Sequence, residues 1–269
     1  MKRFIVPLLL TALWLPAQDA NRISIPLSDP SRPGTVRVEL MHGNITVRSY
    51  AGKEILVEAN ASERASRRPR RSSPAEVDGL KRIDIGNNLG LDIEERENVV
   101  TINAGIMNPR GGDVVVQVPQ STALRVKTMT GTVTIEGVHG EIEANSMNGQ
   151  VKVQDAEGSV IAHSLNGSVV VSVNRVDQKP MSFSTMNGDI DVTLPADTKA
   201  RLRIKNDHGE VYSDFEMRLE PTQKIESGRG NDGKYRVKFD RTMVGTINGG
   251  GPEISFTTLN GQIRIRQRK

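Results

Sequence analysis

The chain has 269 residues, with 36 Lys and Arg against 32 Asp and Glu, 3% aromatic residues and no cysteine. The missing cysteines exclude disulfides and thiolate metal sites, so stability has to come from packing and hydrogen bonds. Nearly balanced charge and scarce aromatic rings exclude the basic, base-stacking surface of a general nucleic-acid binder, and no nucleic-acid partner is expected.

Lys2 and Arg3 precede an apolar run from Phe4 to Leu15 that ends at the small residues around Pro16 and Ala17, the pattern of a secretory leader. Residues 1–17 are read as a signal peptide cleaved after Ala17, which leaves 34 basic and 32 acidic residues. The run is shorter than the about 20 apolar residues of a membrane helix. No transmembrane span is expected after signal removal, and the expected location is the periplasm or the cell surface.

Residues 18–61 read as an N-terminal β region or cap, because Val36, Val38, Ile45 and Val47 alternate with polar residues and Ile55 and Val57 follow. Residues 62–82 form a basic flexible insertion. Arg64, Arg67, Arg68, Arg70 and Arg71 sit there almost without apolar neighbours, so the segment cannot join a core. Guanidinium groups bind phosphate and carboxylate bidentately, which makes this a candidate anion-binding loop for an envelope polymer. A solvated insertion without a partner is the plainer reading.

Residues 83–269 are read as one β-repeat domain, looser between 213 and 243. A twelve-residue pattern recurs: apolar, any, apolar, any, small polar, Met or Leu, Asn, Gly, any, Val or Ile, any, Val or Ile. Copies start at Leu124, Ile142, Val160, Met181, Leu202 and Ile254, and one lies upstream at Val36. Each half alternates with period two, as a strand with one buried face does. The turn residues between the halves are Asn148-Gly149, Asn166-Gly167, Asn187-Gly188 and Asn260-Gly261, with His208-Gly209 as a relative. Glycine there permits positive φ.

Two architectures fit. Asn-Gly between alternating strands is a hairpin signal and would build an antiparallel sandwich or meander. Unit spacings of 18, 18, 21 and 21 residues from Leu124 to Leu202 suit coils of a β-helix-like solenoid, with Val and Ile columns inside and Asn side chains bonding along the corners. The solenoid is the favoured all-β reading.

The run from Gly112 to Val192, with a strand ending at Val118-Pro119 and repeated Met-Asn-Gly or Leu-Asn-Gly corners, resembles the bacterial domain-of-unknown-function family 4097, labelled as candidate adhesins. The resemblance implies a right-handed β-helix-like stack and a cell-envelope location, and it brings no catalytic residues.

Chemistry is sparse. His42, His139, His163 and His208 show no metal-ligand spacing, and His42 and His208 fall on the Asn corner position. Gly249-Gly250-Gly251 precedes Pro252 and is no phosphate loop. Asn231 and Asp232 read as a turn rather than a calcium site. Asp189 and Asp191 are a conceivable carboxylate pair, but they alternate outward beside Ile190 and Val192. Arg264, Arg266 and Arg268 form the outer face of the last strand, where charge discourages edge pairing. The expected function is an exported, non-catalytic adhesive or structural envelope module without a cofactor, binding an anionic envelope polymer or another protein. A polysaccharide-active β-helix enzyme and an envelope sensor or assembly accessory are the alternatives.

Overall fold

A computed structural model describes residues 22–61, 76–77, 80–81, 91–104, 112–220, 225–229, 235–239 and 242–269. The expected leader and all five arginines of the candidate anion-binding loop lie outside them, as do Asn231 and Asp232.

The described residues form twenty-five strands and no helix. The chain opens with β1 (Arg22–Ile25), β2 (Thr35–His42), β3 (Ile45–Tyr50) and β4 (Ile55–Ala61), then the short β5 (Glu76–Val77) and β6 (Leu80–Lys81). β7 (Leu91–Arg96), β8 (Val99–Ala104) and β9 (Gly112–Pro119) lead into the regular region. There follow β10 (Ala123–Thr130), β11 (Val133–Glu136), β12 (Ile142–Asn148), β13 (Val151–Glu157), β14 (Val160–Asn166) and β15 (Val169–Arg175). Next come β16 (Met181–Asn187), β17 (Ile190–Pro195), β18 (Ala200–His208), β19 (Val211–Ser213) and β20 (Arg218–Glu220). The last are β21 (Ile225–Arg229), β22 (Tyr235–Phe239), β23 (Thr242–Ile247), β24 (Glu253–Asn260) and β25 (Ile263–Arg268).

The two halves of a repeat do not pair with each other. β12 lies parallel between β10 and β14, while β13 lies parallel between β11 and β15. Each Asn-Gly is therefore a corner between two sheets, and the hairpin alternative is excluded. A type I′ hairpin also needs positive φ at both central residues, whereas Gly149 has φ 156° and Asn148 is not in that region. The result is a two-sheet solenoid with a valine-rich core.

The order of coils departs from chain order at both ends. One sheet runs β20-β23-β18-β24-β16-β14-β12-β10-β2-β8-β7. The upstream copy at Val36 stacks in register on Leu124 and is an interior coil, because β8 and β9 cover its other side. Of the strands in residues 18–61, β4 pairs antiparallel with β9 and β1 antiparallel with β4, at the edge of the other sheet. At the far end the last coil, β24 and β25, slots between β16–β17 and β18–β19. The repeats at Met181 and Leu202 are sequence neighbours but not stack neighbours.

Antiparallel strands finish the stack: β7 on β8 at one end, and β23 on β18 with β20 on β23 at the other. Open parallel edges invite pairing with other chains, and such covering strands limit it. β21 and β22 make a separate hairpin within the looser segment.

Core columns follow the repeat. Leu124, Ile142, Val160, Met181, Ile254 and Leu202 form one, and Val133, Val151, Val169, Ile190 and Ile263 another, all at most 2% exposed. Phe183 and Phe256 sit in successive coils with ring centroids 5.4 Å apart. The only side-chain polar atoms buried without a partner among the described residues are Thr122 Oγ1, Thr198 Oγ1 and Asn206 Oδ1.

Candidate functional site

The corner edge is built from one glycine per coil. A Cβ at Gly149 would lie 2.0 Å from the Gly131 carbonyl oxygen, and one at Gly131 would lie 1.9 Å from that of Gly43. Backbones this close leave room for hydrogen only, so the glycine is required for contact between coils as well as for φ. Each glycine N–H donates to the next coil's corner carbonyl, as Gly149 does to Asn166 at 3.0 Å.

Two side-chain ladders flank the glycines. Asn166 donates Nδ2–H to Asn148 Oδ1 at 2.9 Å, Asn187 to Asn166 at 2.8 Å, and Asn260 to Asn187 at 2.8 Å. An amide carries both donor and acceptor and can propagate such a chain. On the inner side, Ser146, Ser164, Thr185 and Thr258 donate hydroxyls to the glycine carbonyls of the adjoining coil, at 2.9, 2.9, 2.8 and 3.2 Å. These hydroxyls occupy the small polar position of the repeat and are buried. They satisfy carbonyls that the bend of the chain would otherwise leave bare. His42 and His208 stand in the same column beyond the ends of the Asn ladder, in register with Thr130 and Asn260.

Next to the amides runs an apolar ridge that sequence reasoning passed over. Register places Met41, Met129, Met147, Leu165, Met186 and Leu259 side by side along six coils. The four methionines are 37–45% exposed. The only signal for it was the Met-or-Leu position of the repeat, which period-two alternation turns outward because the small polar residue before it is buried.

The outer faces are charge-matched. Asp191 takes bonds from Arg266 Nε and Nη2 at 2.9–3.2 Å, and Asp189 lies 3.3 Å from Arg264 and accepts the Gln262 N–H at 2.9 Å. The two carboxylates are therefore tied to the neighbouring coil's arginines. Hydrogen bonding to Asp191 raises the Arg266 pKa further. Arg268 reaches Asp155 at 3.1 Å, so the basic row of the last strand pins its coil to others.

His163 Nδ1 and Ser184 Oγ are hydrogen-bonded at 2.8 Å on the opposite outer face. The nearest polar neighbour in that row, Asn145, donates to Glu143 instead. At the return edge, Lys179 hydrogen-bonds Glu141, which lowers the carboxyl pKa and raises that of the amine. A shallow cleft of about 190 Å³ near the N-terminal turn is lined by Pro30, Arg32, Gly52, Lys53, Pro119 and Ser121 among others. No helix of the described residues is long and apolar enough to cross a membrane.

A family model described as Toastrack DUF4097 matches residues 15–248. No curated protein matches the chain. Among solved structures, a candidate cell adhesion protein from Clostridium sporogenes matches at 9% identity with a TM-score of 0.42, covering 92% of this chain and 99% of that one.

Proposed function

We propose that this chain, which belongs to the Toastrack DUF4097 family, works outside the cytoplasm as a non-catalytic binding scaffold of the cell envelope, an adhesin or a structural module. The observation that carries this reading is translational repetition. The same corner groups recur at about 4.8 Å intervals along the stack, giving a long, flat, rigid array suited to an extended partner rather than to one small molecule. Export is supported by the Lys2-Arg3 and Phe4–Leu15 leader pattern. Involvement of an anionic polymer is supported by the arginines between Arg64 and Arg71.

The test is binding of the mature chain, residues 18–269, to envelope glycans and anionic polymers at low and moderate salt, beside a variant lacking residues 62–76. Salt-sensitive binding lost with the deletion assigns recognition to the arginine segment and scaffolding to the stack. Binding kept by the deletion variant moves recognition to the sheet faces. Turnover of a polysaccharide by the mature chain would overturn the non-catalytic reading. Mass spectrometry of protein recovered from the envelope fraction should find Gln18 at the N-terminus, and an intact Met1 there would overturn the cleavage assignment.

A further inference from the structure

The methionines of the corner ridge carry a chemistry that packing does not demand. Leu165 and Leu259 fill the same position in two coils, so the stack accepts a plain hydrocarbon there. Yet three successive coils at one end all present a thioether. The flanking register pairs, Leu40 with Thr128 with Ser146 and His42 with Thr130 with Asn148, hold Met41, Met129 and Met147 in one row. They are 38%, 37% and 45% exposed, so each side chain is open to solvent over part of its surface.

We propose that Met41, Met129 and Met147 form a thioether site for a soft monovalent cation, Cu(I) in biology and Ag(I) as its redox-stable analogue. Thioethers favour Cu(I) over hard oxygen-seeking cations. Parallel strands stand about 4.8 Å apart, and a methionine side chain turns about three bonds, enough to bring neighbouring sulfurs to either side of one ion. Neighbouring sulfurs in this row can therefore share a two-coordinate ion without moving the backbone. The central Met129 has such a neighbour on both sides, and flexible methionine side chains allow a third sulfur to close in.

The surroundings leave the site open to a cation. Glu39 and Lys127 are register partners in the adjacent row and offset each other, while one row further from the sulfurs Arg37 and Arg125 stand beside Glu143, 3.7 Å from Arg125, with one positive charge in excess. His42 follows Met41 at the corner and offers an imidazole at the rim. The chain holds no cysteine that would draw a soft ion elsewhere. Met186 is the built-in contrast, since its neighbours in the row are Leu165 and Leu259 and no second thioether adjoins it.

The experiment titrates the full mature chain, its methionine methyls ¹³C-labelled, with Ag(I) under nitrogen, and with Cu(I) against a chromogenic chelator. Wild type is expected to bind one ion and to shift the methyl signals of Met41, Met129 and Met147, leaving buried Met181 unmoved. Met129→Leu, a side chain the ridge already tolerates, should weaken binding by about tenfold or more, and Met186→Leu should leave it unchanged. Zn(II) should not compete. Equal affinity in wild type and the Met41→Leu, Met129→Leu, Met147→Leu triple variant, or an equal loss in Met186→Leu, would overturn the site. Circular dichroism of each variant separates loss of ligand from loss of fold.

Discussion

Replacing Gly149 by alanine tests the contact between coils at its tightest point. The added Cβ would stand 2.0 Å from the Gly131 oxygen, where ordinary contact starts near 3.4 Å, so the two corners have to separate by about 1.4 Å. That opening breaks three bonds: Gly131 N–H to Asn148, Val133 N–H to Gln150, and the Ser146 hydroxyl to Gly131, now 3.0, 2.9 and 2.9 Å. At about 1 kcal/mol net each, with about 1 kcal/mol for a positive φ at alanine, the loss comes to about 4 kcal/mol. Gly249→Ala isolates the second contribution, because Gly249 has φ 88° but no atom within 4 Å of its would-be Cβ. It should cost only about 1 kcal/mol. Urea unfolding of both variants, followed by circular dichroism with unchanged m values, measures the difference. Equal losses within about 0.5 kcal/mol would refute the claim that backbone proximity, rather than φ alone, fixes the corner glycines.

Three further outcomes follow from the geometry. Phe256→Ala removes a fully buried ring beside Phe183 and should cost about 3–5 kcal/mol in the same urea assay; a loss under about 1 kcal/mol would mean that the two coils are not packed as described. Glu95 accepts bonds from Ser28 N and Oγ and from Asn98 N, which lower its pKa. A lowered folded pKa gives stability that is present above the unfolded value of about 4.3 and lost as pH falls through the folded one. Glu95→Gln should therefore flatten the acid limb of the urea midpoint against pH, and an unchanged limb would show that the carboxylate is not linked to folding. Deleting residues 253–269 takes out an interior coil, so hydrogen exchange should lose protection in β18 as well as at β16. Retained protection in β18 would contradict the intercalated order.

Strand content, the corners and the membership of the repeat are legible in the residues alone. Alternation at Val133 and Ile135 or at Ile190 and Val192 can bury only one face, and both pairs are fully buried. Asn-Gly at 148–149 and its counterparts dictates a sharp change of direction. It also foretold that corner amides could bond along a ladder, and it found the distant copy at Val36. The outward paths of Asp191 and Arg266 were legible as well, from alternation alone.

Which coil lies against which is settled in the stacked chain alone. All coils present similar apolar columns, a glycine corner and the same backbone groups to their neighbours, so nothing in the repeat pattern tells the unit at Leu202 to accept Ile254 instead of Met181 beside it. The order is visible only in contacts between residues far apart in the chain, such as Arg266 with Asp191 and Asn260 with Asn187, which bridge 75 and 73 residues. The same dependence hid the thioether row. Alternation by itself turns the Met before the corner outward, next to the buried Thr128 or Ser146, but says nothing of what stands beside it. It becomes a row of three only once the coil at Val36 is placed beside the coil at Leu124, because proximity across strands is a property of the stacked chain and not of any one repeat.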